Sequence, residues 1–208
     1  MKTTKNCITR LYQYREALYR MKTSGCQKVF SNDLAEAIGA NSSQVRKDFS
    51  LFGISGNKRG GYGIHELMDQ LDTLFNKNQM RKIIVVGVGN IGRALMNYES
   101  FARELILIEA AFDIDPMKYD REALIPVLPM EELQDYITHN KIKMAIIAVP
   151  YFAAQQVFDL MSAAGIRGVV NFSPVSLKTP EDVFVNNVNV QLEIDIVHYF
   201  VNALDKKE

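Results

Sequence analysis

Apolar residues recur along the first part of the chain at Ile8, Leu11, Tyr14, Leu18 and Met21, three or four positions apart, while Arg10, Arg15, Arg20 and Lys22 fall off that stripe. This is the period of an amphipathic helix, and Ser24-Gly25 stops it. Ser31 to Gly39 predicts a second helix of about two turns, with Ser31 as its N-cap, acids in or near the first turn and a glycine just past the end. Asn41-Ser42-Ser43 caps a third, running from Gln44 to Ser50 with Val45 and Phe49 on its buried side. Helix, tight glycine turn, helix is the spacing of a helix-turn-helix. The stretch from Phe52 to Ile64 is dense in glycine and carries Lys58 and Arg59 at its tip, which reads as a hairpin wing. Leu67, Leu71 and Leu74/Phe75 mark a further helix, and Asn76 to Gln79 is a polar linker.

From Arg81 the pattern changes. Ile83-Ile84-Val85-Val86 is an unbroken run of β-branched residues, as expected of a parallel strand covered on both faces. It enters Gly87-Val88-Gly89-Asn90-Ile91-Gly92, a G-x-G-x-x-G turn, and a helix through Ala94 to Tyr98 follows. A second strand, Leu105 to Phe112, ends at Asp113. The glycine turn would present bare backbone N–H groups to a pyrophosphate, and an acid at the end of the second strand would accept the adenosine ribose hydroxyls and repel a 2′-phosphate. NAD is therefore expected over NADP. Asp115, followed by Pro116, reads as a loop residue opening the next turn. A short segment at Ile125 to Leu128, a helix from Met130 to about His139, a strand Met144 to Val149, a helix Ala153 to Ala164 and a strand at Val169-Val170 continue the α/β alternation. Ligands of open parallel sheets bind beyond the C-terminal strand ends, so Ala148, Val149, Pro150, Asn171, Phe172 and Ser173 are expected to line the nicotinamide side, with Ile114 and Tyr98 also near the cofactor.

Near the C-terminus Ile194, Val197, Val201 and Leu204 form one helical stripe, and Leu192, Ile196, Tyr199 and Phe200 a second. A helix apolar on two faces must be covered on two sides. Either it passes into a partner subunit as a domain swap, or it lies between the chain's own domains.

The formal net charge of zero conceals a division: residues 1 to 60 hold 11 Lys and Arg against 4 Asp and Glu, a net of +7. A basic first third suits a polyanion. On a helix-turn-helix, Ser42, Ser43, Gln44, Arg46 and Lys47 would face the major groove, with Arg46 fitted to the O6 and N7 acceptors of guanine. Lys58 and Arg59 would reach phosphate or the minor groove. No run of about 18 apolar residues suggests a membrane span, and two cysteines without metal or disulfide spacing point to a reducing, cytoplasmic setting. His65, His139 and His198 lie poorly for proton transfer at a nicotinamide and read as structural or surface residues. No nucleophile motif or metal-ligand spacing appears. A small NAD-dependent oxidoreductase whose N-terminus serves oligomerisation is the alternative.

The chain resembles, over nearly its whole length, the Rex family of redox-sensing transcriptional repressors. The resemblance is carried by Val45-Arg46-Lys47-Asp48-Phe49-Ser50 with Phe52-Gly53, Gly61-Tyr62-Gly63, the run Gly87 to Ala94 with Asn97-Tyr98, Ala111 to Asp115, Ala148-Val149-Pro150 and Asn171-Phe172-Ser173-Pro174. It implies an α/β protein with an N-terminal winged helix-turn-helix domain (1–79), a Rossmann-type doubly wound parallel sheet (80–190) and a C-terminal helix (191–208) swapped in a homodimer. It also implies binding of palindromic double-stranded operator DNA at low NADH and release when NADH binds, with NADH and NAD+ as sensed ligands. Two departures stand out: where the family places an Arg in the first helix and an Asp before the last, this chain has Glu16 and Asn189, and Tyr119 to Ile125 lacks the family's glycines.

Overall fold

The computed structural model describes residues 4–56 and 60–205. The chain forms two compact units, Met1–Gln79 and Met80–Glu208.

In the first unit, α1 (Lys5–Thr23), α2 (Ser31–Ile38), α3 (Ser42–Leu51) and α4 (Ile64–Leu74) enclose a core of Leu11, Tyr14, Leu18, Leu34, Val45, Phe49, Ile64, Leu67 and Leu71. Burying aliphatic and aromatic side chains of this size is worth about 1.5–3 kcal/mol each, which is what holds short helices in place. The expected Ser31 cap is displaced by one residue: Phe30 is the N-cap, and the Asp33 carboxylate accepts its N–H at 2.7 Å. An acid at the third helical position satisfies an end donor as well as a serine would, and Ser31 becomes the first helical residue. Asn41 caps α3 as expected, its side-chain oxygen accepting the Gln44 N–H at 2.8 Å.

Among the described residues, the strand at the far end of the expected wing pairs outside the segment between Phe52 and Ile64. β2 (Tyr62–Gly63) pairs antiparallel with β1 (Lys28–Val29), which lies between α1 and α2. Ile54 is buried and donates its N–H to the Phe49 carbonyl, so one end of the glycine-rich segment is tied to α3 and the other to this two-stranded ribbon. Lys58 and Arg59 lie outside the described residues.

The second unit is a six-stranded parallel sheet in the order β5-β4-β3-β6-β7-β8, formed by β3 (Arg81–Val86), β4 (Ile106–Asp113), β5 (Val127–Pro129), β6 (Met144–Ile147), β7 (Gly168–Asn171) and β8 (Phe184–Asn187). Counted within the unit this is 3-2-1-4-5-6, the order of dinucleotide-binding sheets, with its switch point between β3 and β6. Ile84 and Val86 pack with α7 (Leu133–Asn140) and α8 (Tyr151–Ala164) on one face. Ile83 and Val85 pack on the other face beneath α5 (Asn90–Met96) and α6 (Ser100–Arg103). A register shift at Ile83/Ile84 lets Ile108 and Ala110 of β4, two apart, serve opposite faces.

The final helix, α9 (Val190–Asp205), begins with Asn189 accepting the Leu192 N–H at 3.1 Å. None of its residues is buried, and Leu192, Ile194, Ile196, Val197, Tyr199, Phe200, Val201 and Leu204 all stand exposed. No helix among the described residues is long and apolar enough to cross a membrane.

Candidate functional site

β3 delivers the chain into the glycine turn, and the three glycines meet different surroundings. Gly87 has φ +97°, and a β-carbon there would lie 2.5 Å from the Ala148 carbonyl oxygen; one on Gly92 would lie 1.9 Å from the carbonyl oxygen of Gly87. Both positions are closed by protein backbone. A β-carbon on Gly89, the N-cap of α5, would meet nothing within 4 Å. The first-turn N–H groups of Asn90, Ile91 and Gly92 have no intrahelical partner by construction of a helix, and they begin beside that open position. Val88 and Gly92 are buried, whereas Asn90 and Ile91 are exposed. Backbone polarity and space for an anion thus coincide at the C-terminal edge of the sheet, next to the switch point, and the residues present fit a dinucleotide pyrophosphate.

Asp113 ends β4 almost fully buried. Its carboxylate accepts the Val88 N–H at 2.7 Å, the Asp115 N–H at 2.9 Å and the Lys118 ammonium at 2.9 Å. Burial by itself would raise its pKa; the Asp115 N–H, Lys118 and the Val88 N–H outweigh it and hold the carboxyl below the usual range. Asp113 therefore fastens the glycine turn from beneath as well as facing the crevice, and the Val88 N–H is spent on that bond. Asp115 opens a 3₁₀ turn (Pro116–Lys118) by accepting the Met117 N–H, in the loop role expected of it. Ile114 and Met117 project into solvent beside this turn. Lys118, in no recognised motif, escaped the sequence reading.

At the other side of the switch point, Ala148, Val149 and Pro150 follow β6 and Phe172 follows β7, at the strand ends where a ligand-facing rim is expected. Asn171 and Ser173, also expected on this rim, are tied by internal hydrogen bonds. Asn171 is fully buried; its amide donates to the Val175 carbonyl at 2.8 Å and to Asn187 at 2.9 Å, and its oxygen accepts the Ser173 N–H at 3.0 Å. The Ser173 hydroxyl donates to the Val149 carbonyl at 2.6 Å. These side chains shape the rim and have few polar atoms left for a ligand. Exposed Tyr151 and Phe152, in edge-to-face contact at the start of α8, extend the rim with aromatic surface.

Tyr98 lies just past the end of the helix that the glycine turn begins. α5 ends at Met96 with Asn97 as its C-cap, so Tyr98 stands in the turn beyond, stacked edge-to-face on Phe101. Seven helical residues carry the chain about 10 Å, away from the glycine turn. Tyr98 borders a groove of about 360 Å³ with Met96, Phe101, Ile106 and Leu124.

In the first unit, α3 exposes Ser43, Arg46 and Lys47 and half-buries Ser42 and Gln44. Arg46 donates to the Ser31 hydroxyl at 3.0 Å, and Ser43 to the Asn41 side chain at 2.6 Å. Gln44 is turned back, its amide donating to Asp48 at 2.7 Å. Asp48, buried in α3, also takes Arg10 in a two-point pairing at 2.6 and 2.8 Å, the Tyr14 hydroxyl at 3.1 Å and the Cys7 thiol at 3.4 Å. Burial would raise the Asp48 pKa, but the bonds from Arg10, Gln44, Cys7 and Tyr14 bring it below the usual carboxylate range. Burial likewise pushes the Tyr14 hydroxyl up, as does the Asp48 charge. The node clamps α1 to α3, the helix that carries exposed Arg46 and Lys47.

A family model described as a putative DNA-binding protein N-terminus matches residues 2–50, and one described as a CoA binding domain matches residues 78–175. A relative from Lactobacillus acidophilus, named redox-sensing transcriptional repressor Rex, is 36% identical over 204 residues, covering 98% of this chain and 97% of its own. The crystal structure of RSP in complex with β-NAD+ and operator DNA is 31% identical with a TM-score of 0.91, over 100% of this chain and 97% of that one. RSP in complex with β-NADH is 31% identical with a TM-score of 0.88, over 100% and 99%. The Lactobacillus acidophilus relative is named as a repressor, and RSP is described as a Rex-family repressor. With full-length identity at this level, the chain belongs to the Rex family of redox-sensing transcriptional repressors.

Proposed function

We propose that this chain is a cytoplasmic transcriptional repressor that reads the NADH/NAD+ ratio, holding palindromic operator DNA when NADH is scarce and releasing it when NADH binds. The observation that carries the reading is the glycine turn with one open position, Gly89, between two closed ones, in a chain that also presents a basic helix-turn-helix. The relatives solved with β-NAD+ and operator DNA and with β-NADH support the same pair of ligands.

In this reading Gly89, Asn90, Ile91 and Gly92 cradle the pyrophosphate through their backbone, Gly87 and Val88 shape the turn that holds them, and Asp113 and Ile114 take the adenosine end. Ala148, Val149, Pro150 and Phe172 form the nicotinamide rim, which Asn171 and Ser173 brace. Arg46 and Lys47 lead the contacts to DNA, Ser42 and Ser43 flank them in the first turn, and Gln44 acts by orienting through Asp48. Lys58 and Arg59 are assigned to the wing tip by sequence. Residues 1–79, 80–190 and 191–208 serve as DNA-binding domain, dinucleotide domain and exchanged helix of a homodimer.

In a gapless match Glu16 and Asn189 stand where the family has an Arg and an Asp that would pair between domains, so that charged pair is absent here. Glu16 accepts from its neighbour Arg15, which itself reaches Asp72 on α4, and Asn189 caps α9. The switch is then held by polar and packing contacts, Tyr98 and Asn189 being the candidates. A ligand moves DNA affinity only through different affinities for the two forms, so operator must weaken NADH binding by the factor by which NADH weakens operator binding. A gel-shift titration of the full chain on fragments of the host's own promoters tests this: retention without NADH and release with it is expected. Absence of binding to every fragment at low salt rejects the repressor reading.

A further inference from the structure

Lys118 introduces a charge that an isolated ribose-binding acid would not have. The 3₁₀ turn Pro116–Lys118, capped by Asp115, folds the chain back so that the Lys118 ammonium rests on Asp113 Oδ2 with its side chain about a quarter exposed. A carboxylate offers about four acceptor positions. On Oδ2 both are taken, by the Val88 N–H and Lys118, and on Oδ1 the Asp115 N–H takes one. One position remains, whereas a vicinal diol donating twice needs two. A 2′-hydroxyl and 3′-hydroxyl can be gripped together by Asp113 only when Lys118 moves aside. The ammonium also cancels, at 2.9 Å, the negative charge on which exclusion of a 2′-phosphate depends. Sites that accept the 2′-phosphate do so through a cation near this strand end.

Resting on the dinucleotide reading above, we propose that Lys118 is a specificity-determining residue of the adenosine end: it partners Asp113 when the ribose is free and supplies the cation for a 2′-phosphate. The site is thereby permissive, admitting NADPH as a weaker second ligand through the charge at residue 118.

The test is a fluorescence titration of the full-length protein with NADH and with NADPH, for the wild type, Lys118→Gln and Lys118→Arg, with thermal denaturation confirming that each is folded. Loss of one charge-assisted hydrogen bond should cost NADPH about tenfold more than it costs NADH in Lys118→Gln, and Lys118→Arg should restore the wild-type ratio. The proposal is overturned if the NADPH/NADH affinity ratio is the same in Lys118→Gln as in wild type, or if wild type binds NADH and no NADPH at millimolar concentration. Failure of wild type to bind either nucleotide removes the dinucleotide reading itself, and this proposal with it.

Discussion

A methyl group on Gly92 would collide with a backbone carbonyl that cannot move without opening the turn, while one on Gly89 would project into empty space. Two glycines three residues apart therefore separate stability from ligand binding. Gly92→Ala should destabilise the dinucleotide unit by about 3 kcal/mol or more, seen as a lowered Tm. Gly89→Ala should keep the wild-type Tm and hold DNA, yet lose the response to NADH. Wild-type NADH affinity in Gly89→Ala would place the pyrophosphate elsewhere. On the DNA side, Arg46→Ala should cost about 1–3 kcal/mol and relax preference at one base step, measured by competition among operator variants. Uniform weakening across sequences would instead make Arg46 a phosphate contact. The glycine turn and Asp113 were legible in the sequence because their chemistry depends on spacing along one short segment. Lys118 and the saturation of Asn171 were not, since each follows from where a turn or a neighbouring strand happens to place an amide or an ammonium.

At the scale of elements, the helices and buried strands followed from apolar period, and the pairings did not. The strand at the end of the glycine-rich wing takes as its partner β1, two residues long and distant in the chain, a pairing that no local turn in the sequence announces. α6 and β8 are too short to show a period, and Phe184, exposed on β8, gives no sign of a covered strand. The contact between α1 and α3 was equally hidden, since nothing in the spacing of Arg10 and Asp48 announces their pairing. Removing one member of a buried ion pair strands the other, so Asp48→Ala should lower stability by about 3 kcal/mol in urea unfolding. Because the Asp48 carboxyl titrates below its unfolded value near 4, the stability it lends is complete above that pH and fades as acid protonates the folded form. Unfolding free energy of the wild type should fall more steeply than that of Asp48→Asn on going from pH 5 to pH 3; parallel profiles would remove Asp48 from the account.

At the scale of the molecule, α9 is the element whose large apolar residues stand exposed along its whole length. Both of its stripes were legible as helical period, and both stand exposed. If a second copy covers them, a charge on either should separate the subunits: Val201→Glu and Phe200→Glu should each convert a dimer to a monomer in sedimentation velocity, and weaken operator binding because two half-sites then lose their common tether. A dimer surviving both changes would exclude the exchanged helix. The ribbon of β1 and β2 bears on how such repressors diverge. With the glycine-rich segment pinned at Ile54 on one side and at Tyr62 on the other, residues between the pins can be added or removed without disturbing the helices. Doubling the length of such a loop costs only about 0.6 kcal/mol in closure entropy. If this segment reaches the operator as proposed, insertion and deletion here would give a lineage an inexpensive way to explore new operators while its nucleotide sensor is inherited intact.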